Sequence, residues 1–256
     1  MARSKRLQNL LLKSAAVLGA LLVWCAAALL IGEELFLPTP WAVAARLWQM
    51  FGLPRFWLAL WNTFSRILLG FLLALAAGSV LAVLAGRFRP VELLLWPYML
   101  TVKSVPVASF VILALVWVSA AGLSALIAFL MVLPVVYGNL LSGVKAVDLQ
   151  SEQMAKVFRF SLWRRIGYLW VPKLKPHLLS AVSLSLGLSY KAGVAAELIG
   201  TPRGTVGELL YDAKLGMDMP AVFAYTVAVV VLGACLEKGT VALLKGGFSL
   251  WEKQGR

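Results

Sequence analysis

Residues 70–86 read GFLLALAAGSVLAVLAG, seventeen residues without a single charge. Gly70, Ala74 and Gly78 recur every fourth residue, as do Ala82 and Gly86, so small side chains line one helical face. Small residues at that spacing let two helix backbones approach closely inside a membrane. Taken back to Phe64, the run is long enough to cross a bilayer core of about 30 Å. It reads as a transmembrane helix shaped to pack tightly on a neighbour.

The rest of the 256-residue chain has the same character. It is 61% hydrophobic and 14% charged, with a mean hydropathy of +0.88. Soluble domains average about 45–50% apolar and about 25% charged residues. A net charge of +13 on a soluble protein would point to nucleic acid. Here the basic residues sit in short stretches between apolar runs, which excludes that reading and fits the positive-inside pattern. Cys25 and Cys235 both fall in apolar runs and form neither a disulfide framework nor a metal site. The lone His177, at a membrane edge beside Pro176, is structural in this reading.

Working outward, the expected fold is all-α and integral to the membrane. A single membrane domain, residues 1–256, carries spans near 15–32, 64–86, 91–119, 123–141, 177–199 and 221–236. A secretory signal peptide would also start basic and then turn apolar, but the first run is of full span length and further spans follow. Between Pro38 and Pro54, Trp41 to Phe51 has helical spacing without the length to span, and reads as an interfacial helix. Pro97 and Pro106 kink or break the third span. A short helix is expected at Val206–Leu215. Seventeen of the 24 Lys and Arg fall on one face of this layout and four on the other, with Arg66, Lys103 and Lys191 at or within spans. That asymmetry places both termini in the cytoplasm.

The longest polar interruption is 148–176, DLQSEQMAKVFRFSLWRRIGYLWVPKLKP. Phe158, Leu162, Ile166 and Trp170 recur every fourth residue and share one helical face, with Trp163 extending it. Arg159, Arg164 and Arg165 surround that face, and Pro172 and Pro176 close the segment. A short amphipathic helix held between spans suits a partner's groove or a membrane surface. The alternative is a solvated loop with a charged face.

The chain holds no P-loop, HExxH, CxxC pair or GxSxG elbow. ATP hydrolysis is therefore not expected on it, and uphill transport needs an ion gradient or another subunit. Lys103, Lys191 and Glu197 are the ionisable candidates within spans, with Ser189 and Tyr190 as weaker ones. Either a lysine faces the pathway and attracts an anionic solute, or the lysines make structural pairs with Glu197. Lys191 and Glu197 are six apart and do not share a helix face.

The 145–176 segment resembles the cytoplasmic "EAA" loop of the permease subunits of bacterial ABC importers. Anchored on Val171-Pro172, the pattern sets Gln153, Met154 and Ala155 at the Glu-Ala-Ala positions, with Glu152 one residue early. Arg159 stands where the family has Gly, so a helix is expected to continue where the family makes a tight turn. Leu37-Pro38-Thr39-Pro40, Asn62-Thr63, Lys191 to Glu197 and Gly207-Glu208-Leu209-Leu210 resemble the nitrate/sulfonate/taurine-type members, and the likeness covers nearly the whole chain. The resemblance implies a homodimer in the bacterial inner membrane, forming the pathway for a small solute. A cytoplasmic ABC ATPase would hold ATP and Mg, leaving no cofactor on this chain, and an extracytoplasmic binding protein would deliver substrate. Glu152, Ala155, Phe158, Arg159, Phe160, Trp163, Arg164 and Pro172 would form the ATPase-coupling surface. The competing classes are an ion-coupled transporter or channel and a membrane-embedded enzyme. The first should carry more intramembrane carboxylates and internal repeats, and the second lacks an evident catalytic set.

Overall fold

The computed structural model describes residues 2–147, 153–155 and 157–254, and among these the regular structure is helical. α1 (Ala2–Ile31) stands at the edge of the bundle. The Trp24 indole N–H donates to the Pro38 carbonyl at 3.0 Å, and its ring stacks on Phe223 at 5.8 Å. α2 (Pro40–Phe51) is the short helix expected between Pro38 and Pro54. Thr39 caps it by accepting from the Ala42 N–H at 3.4 Å, and Pro40 opens it, where a missing N–H costs nothing.

α3 (Pro54–Arg87) contains the opening stretch and starts ten residues before the expected span. Its small-residue face lies against α6 (Ala120–Lys145). A Cβ on Gly70 would lie 2.1 Å from the Ala125 carbonyl oxygen, and one on Gly86 would lie 2.4 Å from Val144. Only glycine allows this approach. The same contacts give direction: Gly70 meets Ala125, Gly78 meets Val136 and Gly86 meets Val144, so α3 and α6 run parallel.

Parallel neighbours require the chain to return across the bilayer between Arg87 and Ala120. It does so in two pieces, α4 (Arg89–Ser104) and α5 (Val107–Ala114), which meet at 101°. The expected single third span is therefore a broken one. Pro106 has no N–H to donate and forces the residue before it, Val105, into an extended conformation (φ −77°, ψ 131°). Pro97, by contrast, is accommodated inside α4. Among the described residues, five helices are long and apolar enough to cross a membrane, and six crossings result when this pair counts as one.

After the loop, α7 (Leu162–Arg165) leads through a π-helical turn, Ile166–Trp170, into α8 (Val171–Gly200). Pro172 and Pro176 therefore do not close the polar segment. Pro172 sits in the first turn of α8 and Pro176 lies inside it. The wide turn has a physical reason: Pro172 cannot donate, and the Val171 N–H reaches back five residues to the Ile166 carbonyl. α8 runs antiparallel to α6, with His177 at Gly143 and Leu123 at Gly200. Thr201 ends it in the left-handed conformation (φ 41°).

α9 (Val206–Leu215) carries a reciprocal cap. Thr205 accepts from the Glu208 N–H, and Glu208 reaches back to the Gly204 N–H at 2.6 Å. α10 (Met219–Gln254) starts where Asp218 accepts from the Ala221 N–H, and runs 18 residues past the expected end at 236. Tyr190 faces Gly233 and Ser183 bonds Glu237, so α10 is antiparallel to α8. Following these directions, the N-terminal start of α1, the end of α6, the start of α8 and the end of α10 share one end of the bundle. α2, α9 and the start of α10 occupy the other.

Candidate functional site

At the loop end, the helical turn holding Gln153–Ala155 stops at Phe158–Arg159. Arg159 has φ +50°, and the Phe160 N–H donates to the Ala155 carbonyl at 2.9 Å. This is a Schellman-type end with arginine where glycine is usual. The expectation of a helix continuing through Arg159 is thus overturned, and the tight turn survives the substitution. Its physical reason is the cap, whose backbone bond offsets part of the left-handed strain.

The break also corrects the four-residue apolar face. Phe158 lies before the turn, while Leu162 lies after it and Ile166 and Trp170 sit in the π-helical turn, so the four do not share one straight helix. Phe158 is 68% exposed and packs its ring near Phe160 at 6.5 Å. Arg159, Arg164 and Pro172 are exposed, and Phe160 is half-buried. Ala155 is buried. Ser161 caps α7 by accepting from the Arg164 N–H. Trp163 belongs to α7, and Glu152 lies outside the described residues.

At the opposite end, Glu197 is fully buried. Its Oε2 accepts from the Thr63 hydroxyl at 2.6 Å, and the Thr63 oxygen accepts in turn from the Val206 N–H at 3.0 Å. One carboxyl so links α8, α3 and the start of α9. Asn62 adds a bond to the Gly204 carbonyl at 2.9 Å. A Cβ on Gly207 would overlap Glu197 at 2.3 Å, so that glycine is required by close approach. Ser124, the Gly207 backbone and Arg66 act on the same carboxyl, although Glu197 Oε1 and the Ser124 hydroxyl close no hydrogen bond of good geometry. Three stretches that resembled one subfamily in sequence, 62–63, 191–197 and 207–210, therefore meet at one place.

The other span candidates separate. Ser189 is buried, but its hydroxyl donates to the Leu186 carbonyl of its own helix at 2.8 Å. Tyr190 is buried against Phe64, with ring centroids 6.4 Å apart. Lys191 and Lys103 are exposed, and neither forms a salt bridge with a described carboxylate. Lys103 Nζ lies beside Gly138 on α6. Glu197 is not the lysines' partner within this chain; Thr63 takes that role. Of the residues around Glu197, sequence reading missed Ser124 outright; Thr63 carried a signal as half of the Asn62-Thr63 pair, and Arg66 as a cation at or within a span.

Among the described residues, a bundle of five apolar helices and one broken pair defines an integral membrane protein. Residues 70–238 match the family described as the binding-protein-dependent transport system inner membrane component, and the chain belongs to that family. It is a permease subunit that forms the translocation pathway of an ABC importer of the nitrate/sulfonate/taurine type. Among its relatives, a Bacillus subtilis permease assigned to aliphatic sulfonates transport is 32% identical over 73% of this chain and 67% of its own length. The taurine transport permease TauC of Escherichia coli is 27% identical over 86% of this chain and 82% of its own. The bicarbonate transport permease CmpB of Synechococcus elongatus is 24% identical over 96% and 89%.

Proposed function

We propose that this permease imports a small anionic solute as a homodimer, driven by a separate cytoplasmic ATPase that docks on residues 153–165. The observation that supports the docking surface most is the capped turn at Arg159, which leaves Phe158 68% exposed in a loop otherwise anchored by buried Ala155. An exposed aromatic flanked by Arg159 and Arg164 suits insertion into a groove with acidic edges. ATP and Mg are held by the ATPase, which carries out hydrolysis. A binding protein delivers solute to the end holding α2 and α9, which lies outside the cytoplasm. Both termini are cytoplasmic.

The solute class is supported by Lys191 and Lys103, exposed lysines within spans and without a described acidic partner, and by the sulfonate and bicarbonate permeases among the relatives. A cation in a low-dielectric path attracts an anion strongly.

Reconstitution with the ATPase and binding protein tests the docking surface. Phe158→Ala should leave membrane insertion intact and reduce transport-coupled ATP hydrolysis by at least about tenfold, the loss of roughly 1.4 kcal/mol or more at an aromatic anchor. Wild-type coupling in that variant removes Phe158 from the dock. Lys191→Met should abolish uptake with assembly unchanged; undiminished uptake would place Lys191 away from the pathway.

A further inference from the structure

We propose that the groove between α8 and α10 binds the headgroup of an anionic phospholipid, one of net charge −1 carrying headgroup hydroxyls. The groove is an open surface depression of about 300 Å³, lined by Ser183, Glu237, Lys238, Val241, Ala242 and Lys245. None of these was among the transport candidates, and the assignment depends only on the chain's place in a membrane.

Depth is the first observation. α10 starts beside Asp218, which pairs with Arg46 at the α2 end of the bundle. Lys238 is about 29 Å further along at 1.5 Å per residue, close to the full thickness of the hydrocarbon core. Lys245 is about 10 Å beyond it, in the headgroup layer. α8 gives an independent measure: Ser183 is about 26 Å from Gly200, at the same level. Phosphates of the lipid leaflet therefore lie opposite the groove.

Chemistry is the second. Lys238 and Lys245 are seven residues apart and share a helix face. Both are exposed, and neither forms a salt bridge with a described carboxylate. Glu237 accepts from the Ser183 hydroxyl at 2.7 Å, which fixes the carboxyl at the groove wall. Two ammonium groups suit a phosphodiester, and the remaining carboxylate lone pairs accept from headgroup hydroxyls. Two lysines and one glutamate leave a net charge of about +1, which a headgroup of charge −1 neutralises and a zwitterion does not. Val241, Ala242 and the lysine stems supply an apolar wall for the upper acyl chain.

Native mass spectrometry of the purified permease, equilibrated with phosphatidylglycerol, phosphatidylethanolamine or phosphatidylcholine, reads the site directly. Phosphatidylglycerol should be retained in preference to both others. Each lysine near an anionic surface changes affinity about fivefold, so Lys238→Gln with Lys245→Gln should weaken retention about 25-fold. The matching Lys→Arg pair should keep it, as should Lys214→Gln at the other end of the bundle. Equal retention of phosphatidylethanolamine overturns the proposal, as does a double Gln variant that still holds phosphatidylglycerol. A shift in oligomeric state with no change in lipid occupancy also overturns it, by assigning the groove to a second copy.

Discussion

Thr63 carries more of the structure than its size implies. Its hydroxyl donates to Glu197 and accepts from the Val206 N–H, both in a region closed to water. Removing it strands two buried polar groups, each costing about 1–3 kcal/mol. Thr63→Val keeps the shape and removes the hydroxyl, so it should destabilise the detergent-solubilised permease by about 2–4 kcal/mol. Thr63→Ser should restore most of the loss. A thermal unfolding series on the three proteins checks this, and a Val variant as stable as wild type would show that the bond to Glu197 contributes nothing net. Glu197 was visible in the sequence as an intramembrane carboxylate, but its partner was not. Thr63 is 134 residues away, and helical spacing says which face a residue occupies without naming what packs on that face. Arg159 is a comparable case. Its identity argued against a left-handed turn, and only the backbone bond from Phe160 to Ala155 shows why the turn persists.

At the scale of elements, the stretch 70–86 was legible because its spacing has one dominant physical use. Small residues every fourth position admit a second backbone, and α6 is there. Gly70→Val should part α3 from α6, since even its Cβ would overlap the Ala125 carbonyl at 2.1 Å. Overpacking of this kind costs about 3 kcal/mol or more. Gly19→Val on α1 is the control, because a Cβ there meets nothing within 4 Å. Loss of folded protein for the first and not the second, measured by fluorescence-detected gel filtration, is the expected outcome; equal yields would deny the tight α3–α6 seam. Element ends were harder to read than their existence. α10 continues to Gln254 through Glu237, Lys238 and three glycines, residues that read in sequence as the end of the span. The bend at Pro106 follows from local chemistry, but its 101° angle depends on what α5 packs against, namely α6 and α8.

Across the whole molecule, helix direction and charge divide the protein in the same way. The parallel run of α3 and α6 forces the broken pair to act as one crossing, which brings both ends of the chain to the end where the 153–165 segment lies. That end also holds most of the basic residues, including Lys145 paired with Glu92 at 2.6 Å. The other end has few cations, and two of them, Arg46 and Arg55, are engaged by Asp218 and Asp212. Moving so many cations across a membrane opposes insertion in the reverse sense. The prediction is an orientation with the loop in the cytoplasm. With Cys25 and Cys235 replaced by Ala, single cysteines placed at Ser161 and Lys214, both exposed, report the two ends separately. A membrane-impermeant maleimide added to intact spheroplasts should label Lys214→Cys at once and Ser161→Cys only after permeabilisation. Inverted vesicles should show the opposite order. Labelling of both sites from one side would mean that α4 and α5 do not complete a crossing, whereas a full reversal would place 153–165 outside the cell, beyond the reach of any cytoplasmic ATPase.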